Sequence, residues 1–251
     1  MARYKIIIAY DGTDFYGWQV QAGQNTVAGT LQNIFYDVFG KEIRLVAASR
    51  TDAGVHALGQ CAAFDVDFTI DHQQLKQAWQ NMLPASLLLR SLTPVGPAWN
   101  PRKNVQQKTY YYHFFQERPL PMLARYGWYY RHHVDLKKLE QALQIFVGTH
   151  DFRSFCTGNE YENTQRTIDK ITIEYLHHFK AHRIVVKGPG FLRYMIRRIV
   201  GACIEVASRP NAKLEELHTI LEQKNPEQLL FTAPPQGLLL YKIIYANDKG
   251  Q

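Results

Sequence analysis

Between Ser49 and Ala57 the chain places a cation (Arg50), a carboxylate (Asp52), a glycine (Gly54) and an imidazole (His56). The segment follows an apolar run, Ile43 to Ala48, and precedes an alternating run, Gly59 to Phe68. Both runs read as strands, so these side chains fall on a loop held by a rigid scaffold, where chemistry is commonly presented. A carboxylate there can serve as a nucleophile that also leaves, as a transient covalent step requires. The same residues also suit a plain turn, with Asp52 capping the next amides and Arg50 solvated.

Two further groups carry chemistry. From about Phe191 to Ala207 the apolar spacing predicts a long, largely buried helix. Phe191, Met195, Ile199, Cys203 and Val206 form one stripe, and Leu192, Ile196, Val200 and Ile204 a second. Arg193 and Arg197, four apart, share a face of that helix. They either snorkel at its edge or one of them meets a carboxylate in a partly dry site. Lys108-Thr109-Tyr110-Tyr111-Tyr112 heads an aromatic strand, with Tyr110 and Tyr112 on one side and Tyr111 on the other. Packing is the ordinary use of such tyrosines, and stacking on a planar ligand is the other.

The elements that must position these residues can be read in order. Arg3 to Asp11 is a strand leading into a loop rich in Gly, Asp and aromatics. Asn25 or Thr26 caps a helix with Val27, Leu31, Ile34, Phe35 and Val38 inward, ended by Gly40. The next strand carries Ala62, Phe64, Val66 and Phe68 on one face. Asp71 caps a helix with Leu75, Ala78, Trp79 and Met82 aligned, stopped by Pro84, and Leu87 to Val95 is a strand. The order strand, helix, strand, strand, helix, strand is the ferredoxin-like plan shared with RNA-recognition modules.

A Pro/Gly-rich link, Thr93 to Pro101, then divides an N-terminal half, residues 1–100, from a C-terminal half, residues 101–251. In the second half Lys108 to Gln116 is a strand. Asp135 caps a helix with Leu136, Leu139, Leu143 and Phe146 inward. Arg166 to Phe179 and Ala181 to Lys187 form a hairpin, Leu214 to Leu221 a short helix, and Gly237 to Tyr245 the last strand. The expected fold class is α+β. Its two ferredoxin-like halves form one extended, mainly antiparallel sheet, with helices on one face and a central active-site cleft.

The 251 residues carry a formal charge of +7 and a pI near 9.2, which favours an anionic partner. Tyrosines set among Lys and Arg suit stacking on bases along a phosphate track. Cys61, Cys156 and Cys203 lie far apart and read as reduced thiols of a cytoplasmic protein. No metal-ligand spacing, phosphate loop or dinucleotide fingerprint occurs, so neither a metal nor a nucleotide cofactor is implied. No stretch approaches the length of a membrane span.

Arg50-Thr51-Asp52-Ala53-Gly54-Val55-His56 resembles the motif of the tRNA pseudouridine synthase A family. Gly190-Phe191-Leu192 through Met195-Ile196-Arg197 to Gly201 resembles a second family segment, and Lys108-x-Tyr110-x-Tyr112 a third. Further similarity lies in Tyr10-Asp11-Gly12-Thr13, Gly17-Trp18-Gln19, Asp151-Phe152, Arg166-Thr167-Ile168 and Gly237-Leu238, so it spans the chain in order. Departures occur at Ser49, Ala28 and residues 81–84, none of which touches Asp52, Tyr110 or Arg197.

The resemblance implies an isomerase that turns uridine into pseudouridine in the tRNA anticodon stem-loop, at positions 38 to 40. Asp52 is then the nucleophile, adding to C6 of the ring or to C1′ of the ribose. Arg197 pairs with it, and Tyr110 stacks on the flipped base. Arg50 and Arg193 fall on the substrate side, and His56 shapes the loop or touches RNA backbone without acting as a base. The family works as a homodimer without cofactor. A synthase of the same fold acting on other uridines or another RNA, and a non-catalytic double RNA-recognition module, are the other readings of the same fold and charge.

Overall fold

The computed structural model describes residues 1–158 and 162–246. The protein is mixed α+β with mainly antiparallel strands, in two compact units. One holds Met1–Gln106 and the segment from Leu239 onward, the other Gln107–Leu238.

The first unit contains β1 (Ala2–Tyr10), α1 (Val27–Phe39), β2 (Val46–Ala47), β3 (His56–Val66), α2 (His72–Met82) and β4 (Leu87–Val95). β1 lies between β4 and β3, antiparallel to both. Alternate residues of β1 point inward, and Tyr4, Ile6, Ile8 and Tyr10 are buried. Phe64 of β3 meets both helices, contacting Phe35 of α1 at 5.6 Å and Trp79 of α2 at 5.4 Å. Both helices therefore cover one face of the sheet, and each large apolar side chain buried there contributes about 1.5–3 kcal/mol.

Capping follows the sequence. Thr26 Oγ1 accepts from Gly29 N–H, Asp71 accepts from the amides of Gln73 and Gln74, and Gly40 ends α1 at φ +64°. Met82, expected inward, is 61% exposed at the end of α2. The strand expected from Ile43 shrinks to Val46–Ala47. Ile43 and Leu45 are buried, yet the Leu45 amide bonds to the side chain of Gln32 at 3.1 Å rather than to a strand.

A single division near residue 100 does not match the packing of the last strand, Leu238–Tyr245. It runs parallel to β3, pairing Leu239 with His56 and Leu240 with Ala57. Gly59 allows this approach, since a Cβ there would lie 2.4 Å from the Tyr241 carbonyl oxygen.

The second unit is built from β5 (Val105–Phe115), β6 (Trp128–Tyr129), α3 (Leu136–Gln144), β7 (Gly148–Asp151), β8 (Gln165–Ile168), β9 (Lys170–Leu176), β10 (Ala181–Gly188), α4 (Met195–Ser208) and α5 (Glu215–Gln223). β5, β10 and β9 form an antiparallel sheet in that order, with β6 parallel to β5. The expected hairpin is β9–β10, while β8 leaves it to pair with β7. Leu139, Ala142 and Leu143 of α3 are buried; Leu136, at its exposed first turn, is not.

The long helix is shorter than its apolar pattern predicts. Tyr194 adopts φ +61°, ψ −2°, a left-handed conformation that a right-handed helix cannot contain, so α4 begins at Met195. Arg193 therefore lies before the helix, and the expected shared helical face of Arg193 and Arg197 does not exist.

Candidate active site

The Asp52 segment is pinned on both sides by the loop that follows β1. Trp18 N–H donates to the Thr51 carbonyl at 3.1 Å, and Gly54 N–H to the Phe15 carbonyl at 3.1 Å. Thr51 is buried, with its hydroxyl 2.8 Å from the Tyr10 hydroxyl. Fully buried Gln60 donates to the Ser49 carbonyl at 2.8 Å and reaches Tyr10 Oη at 3.4 Å. The turn itself is closed by Val55 N–H donating to the Asp52 carbonyl at 3.2 Å, with Gly54 at φ +76°. Asp52 is half-buried and Arg50 exposed.

Two glycines make this contact feasible. A Cβ on Gly12 would lie 2.1 Å from the Val55 carbonyl oxygen, and one on Gly17 2.6 Å from that of Thr51. Backbone thus packs directly on backbone around the carboxylate-bearing residue, which fixes its main chain more firmly than side-chain contacts alone.

His56 opens β3 and is 4% exposed. Gly12 N–H donates to its Nδ1 at 3.0 Å, so that nitrogen is an acceptor and the ring proton of the neutral form sits on Nε2. Asp11 Oδ1 lies 3.2 Å from the same nitrogen. Asp11 Oδ1 also accepts from the amide and hydroxyl of Thr13. His56 therefore ties the first loop to the second.

In the second unit Tyr110, on β5, is 5% exposed with Phe191 edge-on at 5.4 Å. Arg197, in the first turn of α4, is 9% exposed, and its Nε donates to the Ala233 carbonyl at 2.7 Å. Ala233 sits close because α4 is thin at Gly201, where a Cβ would meet the Phe231 carbonyl oxygen at 2.2 Å. Nearby, Tyr112 donates to the Pro234 carbonyl at 2.9 Å. Burial raises its phenol well above its ordinary pKa, a shift that the Arg197 charge opposes. Arg193 is exposed, and both arginines lie over the ring of Tyr194.

Sequence reasoning missed Gln60 and Tyr194. Gln60 left a signal, a lone amide inside an apolar strand. Tyr194 left none, because it continues a helical pattern. Among the described residues no group of three or more His, Cys, Asp or Glu side chains stands where it would hold a metal ion, and no helix is long and apolar enough to cross a membrane.

The first unit thus carries a carboxylate on a braced loop, and the second a buried arginine and buried strand tyrosines. The sequence model of the family described as tRNA pseudouridine synthase matches residues 6–102 and 142–246. The chain is 34% identical to tRNA pseudouridine synthase A of Thermodesulfovibrio yellowstonii, over 98% of this chain and 100% of that protein. It is 35% identical to tRNA pseudouridine synthase A 1 of Protochlamydia amoebophila, over 100% and 99%. It is 36% identical to tRNA pseudouridine synthase A of Maridesulfovibrio salexigens, over 98% and 92%. The chain belongs to the tRNA pseudouridine synthase family, whose reaction isomerises uridine to pseudouridine in tRNA.

Proposed function

We propose that this chain forms pseudouridine at positions 38 to 40 of the tRNA anticodon stem-loop, as a cytoplasmic homodimer, with Asp52 as the nucleophile. The observation that carries the reading is its end-to-end likeness to relatives named tRNA pseudouridine synthase A. The braced Asp52 loop supports it, because a nucleophile has to be held at a fixed place to act.

The chemistry balances without an outside reactant. The N1–C1′ bond breaks, the uracil turns, and a C5–C1′ bond forms; the proton lost from C5 is matched by one gained at N1. Asp52 adds to C6 of the ring or to C1′ of the ribose and is expelled when the new nucleoside is released. Arg197 keeps the carboxylate ionised and aimed, as a neighbouring cation lowers a carboxylate pKa.

Extruding the target base costs a few kcal/mol, and stacking on Tyr110 returns about 1–3 kcal/mol of it. Since Tyr110 is 5% exposed, a base that stacks there has to displace part of what now covers its ring. Arg50 and Arg193, both exposed, hold phosphate, and His56 acts by shaping the loop.

The test is to incubate the purified chain with unmodified tRNA and map pseudouridine by carbodiimide treatment or mass spectrometry. Product confined to positions 38 to 40 is expected. Product at other uridines would make this a synthase of different site choice, and RNA binding without product would make it a binding module.

A further inference from the structure

Tyr194 holds a backbone conformation that bulky residues avoid. At φ +61° its Cβ crowds the carbonyl oxygen, a strain glycine would not feel. Lys180 and Lys224 share a positive φ, but each ends a helical turn, where the left-handed form is commonplace. Tyr194 instead precedes a helix, and its side chain caps none of the helix's amides. A bulky residue persists in such a conformation where its surroundings over-determine it.

The ring supplies that reason. The guanidinium carbon of Arg193 lies 5.1 Å from its centroid and that of Arg197 5.2 Å. Both are inside the ~6 Å over which an aromatic face attracts a cation. The left-handed turn takes Arg193 out of α4, yet both arginines still lie over one ring. On the main chain Arg198 N–H donates to the Tyr194 carbonyl at 2.9 Å, and Met195 N–H to that of Leu192 at 3.2 Å. Tyr194 is thus tied to the first turn of the helix that carries Arg197.

We propose that Tyr194 is a positioning residue for Arg197. The Ala233 carbonyl fixes the guanidinium at Nε, and the ring of Tyr194 fixes its tilt. Two contacts that differ in kind and direction leave a long, flexible side chain few orientations, which is what aiming a carboxylate requires. The proposal rests on the reading of Arg197 as the cation that holds the catalytic carboxylate. It adds a residue that acts through Arg197.

Three variants of the full chain separate the ring from the backbone. Tyr194→Phe keeps the aromatic face. Tyr194→Gly keeps the left-handed turn without strain and removes the ring. Tyr194→Asn, also tolerant of that turn, replaces the Gly variant if the latter melts early. The measurement is single-turnover pseudouridine formation at saturating tRNA transcript. There the rate constant reports the aim of the site and the amplitude the fraction of folded enzyme. The Phe variant should match the wild type within about twofold. The Gly and Asn variants should lose about tenfold in rate constant at unchanged amplitude, with half-saturation by tRNA altered by less than about threefold. A Gly or Asn variant reacting at the wild-type rate, or a loss carried by amplitude alone, overturns the positioning role. A Phe variant as slow as Gly overturns the assignment to the ring face. Wild-type protein that forms no pseudouridine refutes the functional reading itself, and this proposal with it.

Discussion

Arg197 and Ala233 exchange two hydrogen bonds. The Ala233 amide donates to the Arg197 carbonyl at 3.1 Å, and Arg197 Nε donates to the Ala233 carbonyl at 2.7 Å. The helix residue is thereby locked to an extended segment through its main chain and its side chain together. Arg197 is 9% exposed as a residue, and these two bonds hold its main chain and its side chain in place together.

Arg197→Met keeps the apolar stem and removes the cation. It leaves the Ala233 carbonyl without its side-chain donor, a cost of about 1–3 kcal/mol. In a chain of this size that corresponds to roughly 2–4 °C of melting temperature per kcal/mol. Turnover should fall by about 10²-fold or more, as for loss of one fixed electrostatic partner, while tRNA affinity changes little. Melting, filter binding and product formation on the one variant check all three statements.

Gly17 and Gly23 provide a matched pair. Both have positive φ, +83° and +71°. A Cβ at Gly17 would strike the Thr51 carbonyl at 2.6 Å, whereas one at Gly23 has nothing within 4 Å. Gly23→Ala should cost only the backbone strain, about 1 kcal/mol, and leave activity intact. Gly17→Ala adds a displacement next to Asp52, so it should melt lower still and lose at least about tenfold in rate. Equal behaviour of the two would mean that the loop tolerates a shift of Thr51.

These contrasts show what could be read from sequence. Asp71 and Asp135 were legible as caps, and Thr26 as one of two candidates with Asn25, because a cap depends on residues within one turn; each accepts amides of its helix's first turn. The Asp52 loop was legible as a loop because strands flank it. The pairing of the last strand with His56 and Ala57 was not, since a strand carries no local record of its partner. Tyr194 was hidden for another reason. Its neighbours fit a helical repeat, and the left-handed backbone is held by contacts with Arg193 and Arg197 that spacing alone does not show.

His182 gives the fold a defined pH response. It is 9% exposed and stacked on Phe114 at 5.0 Å, and burial lowers its pKa below the ordinary value of 6.5. Its Nε2 lies 3.3 Å from Gln116 Nε2, an amide turned that way because Gln116 Oε1 accepts from Val134 N–H. Below pH 6.5 the unfolded chain takes up a proton that the native chain refuses. Stability is therefore lost as pH falls from 6.5 toward the lower folded pKa. His182→Gln should flatten the melting temperature between pH 7 and pH 5, and an unchanged slope would assign the response to other groups.

The charge of +7 makes salt a further lever on RNA binding. Affinity for tRNA should fall steeply, with a log–log slope set by the number of phosphates neutralised. Arg50→Ala and Arg193→Ala should each reduce that slope by about one if both hold phosphate, as proposed. Titrations from 50 to 200 mM salt measure this directly, and slopes equal to wild type would remove those two residues from the RNA contact.

Asp52 carries the sharpest prediction. Its flanking residues are fixed from outside the turn, Thr51 by Tyr10 and Trp18, and Gly54 by Phe15. The turn is closed by the Asp52 carbonyl, which the side chain does not alter. Asp52→Asn is nearly isosteric, keeps an acceptor oxygen, and removes the charge that makes the nucleophile. The variant should melt within about 3 °C of wild type, given the ~1 kcal/mol attached to a side-chain cap. It should bind tRNA as before and lose more than about 10³-fold in product formation, as when a nucleophile is deleted. If Asp52 served only to cap the turn, activity would survive in proportion to folded protein. Melting, binding and product measured on one preparation separate the two, because a residue that only caps the turn cannot lose activity beyond its loss of folded protein.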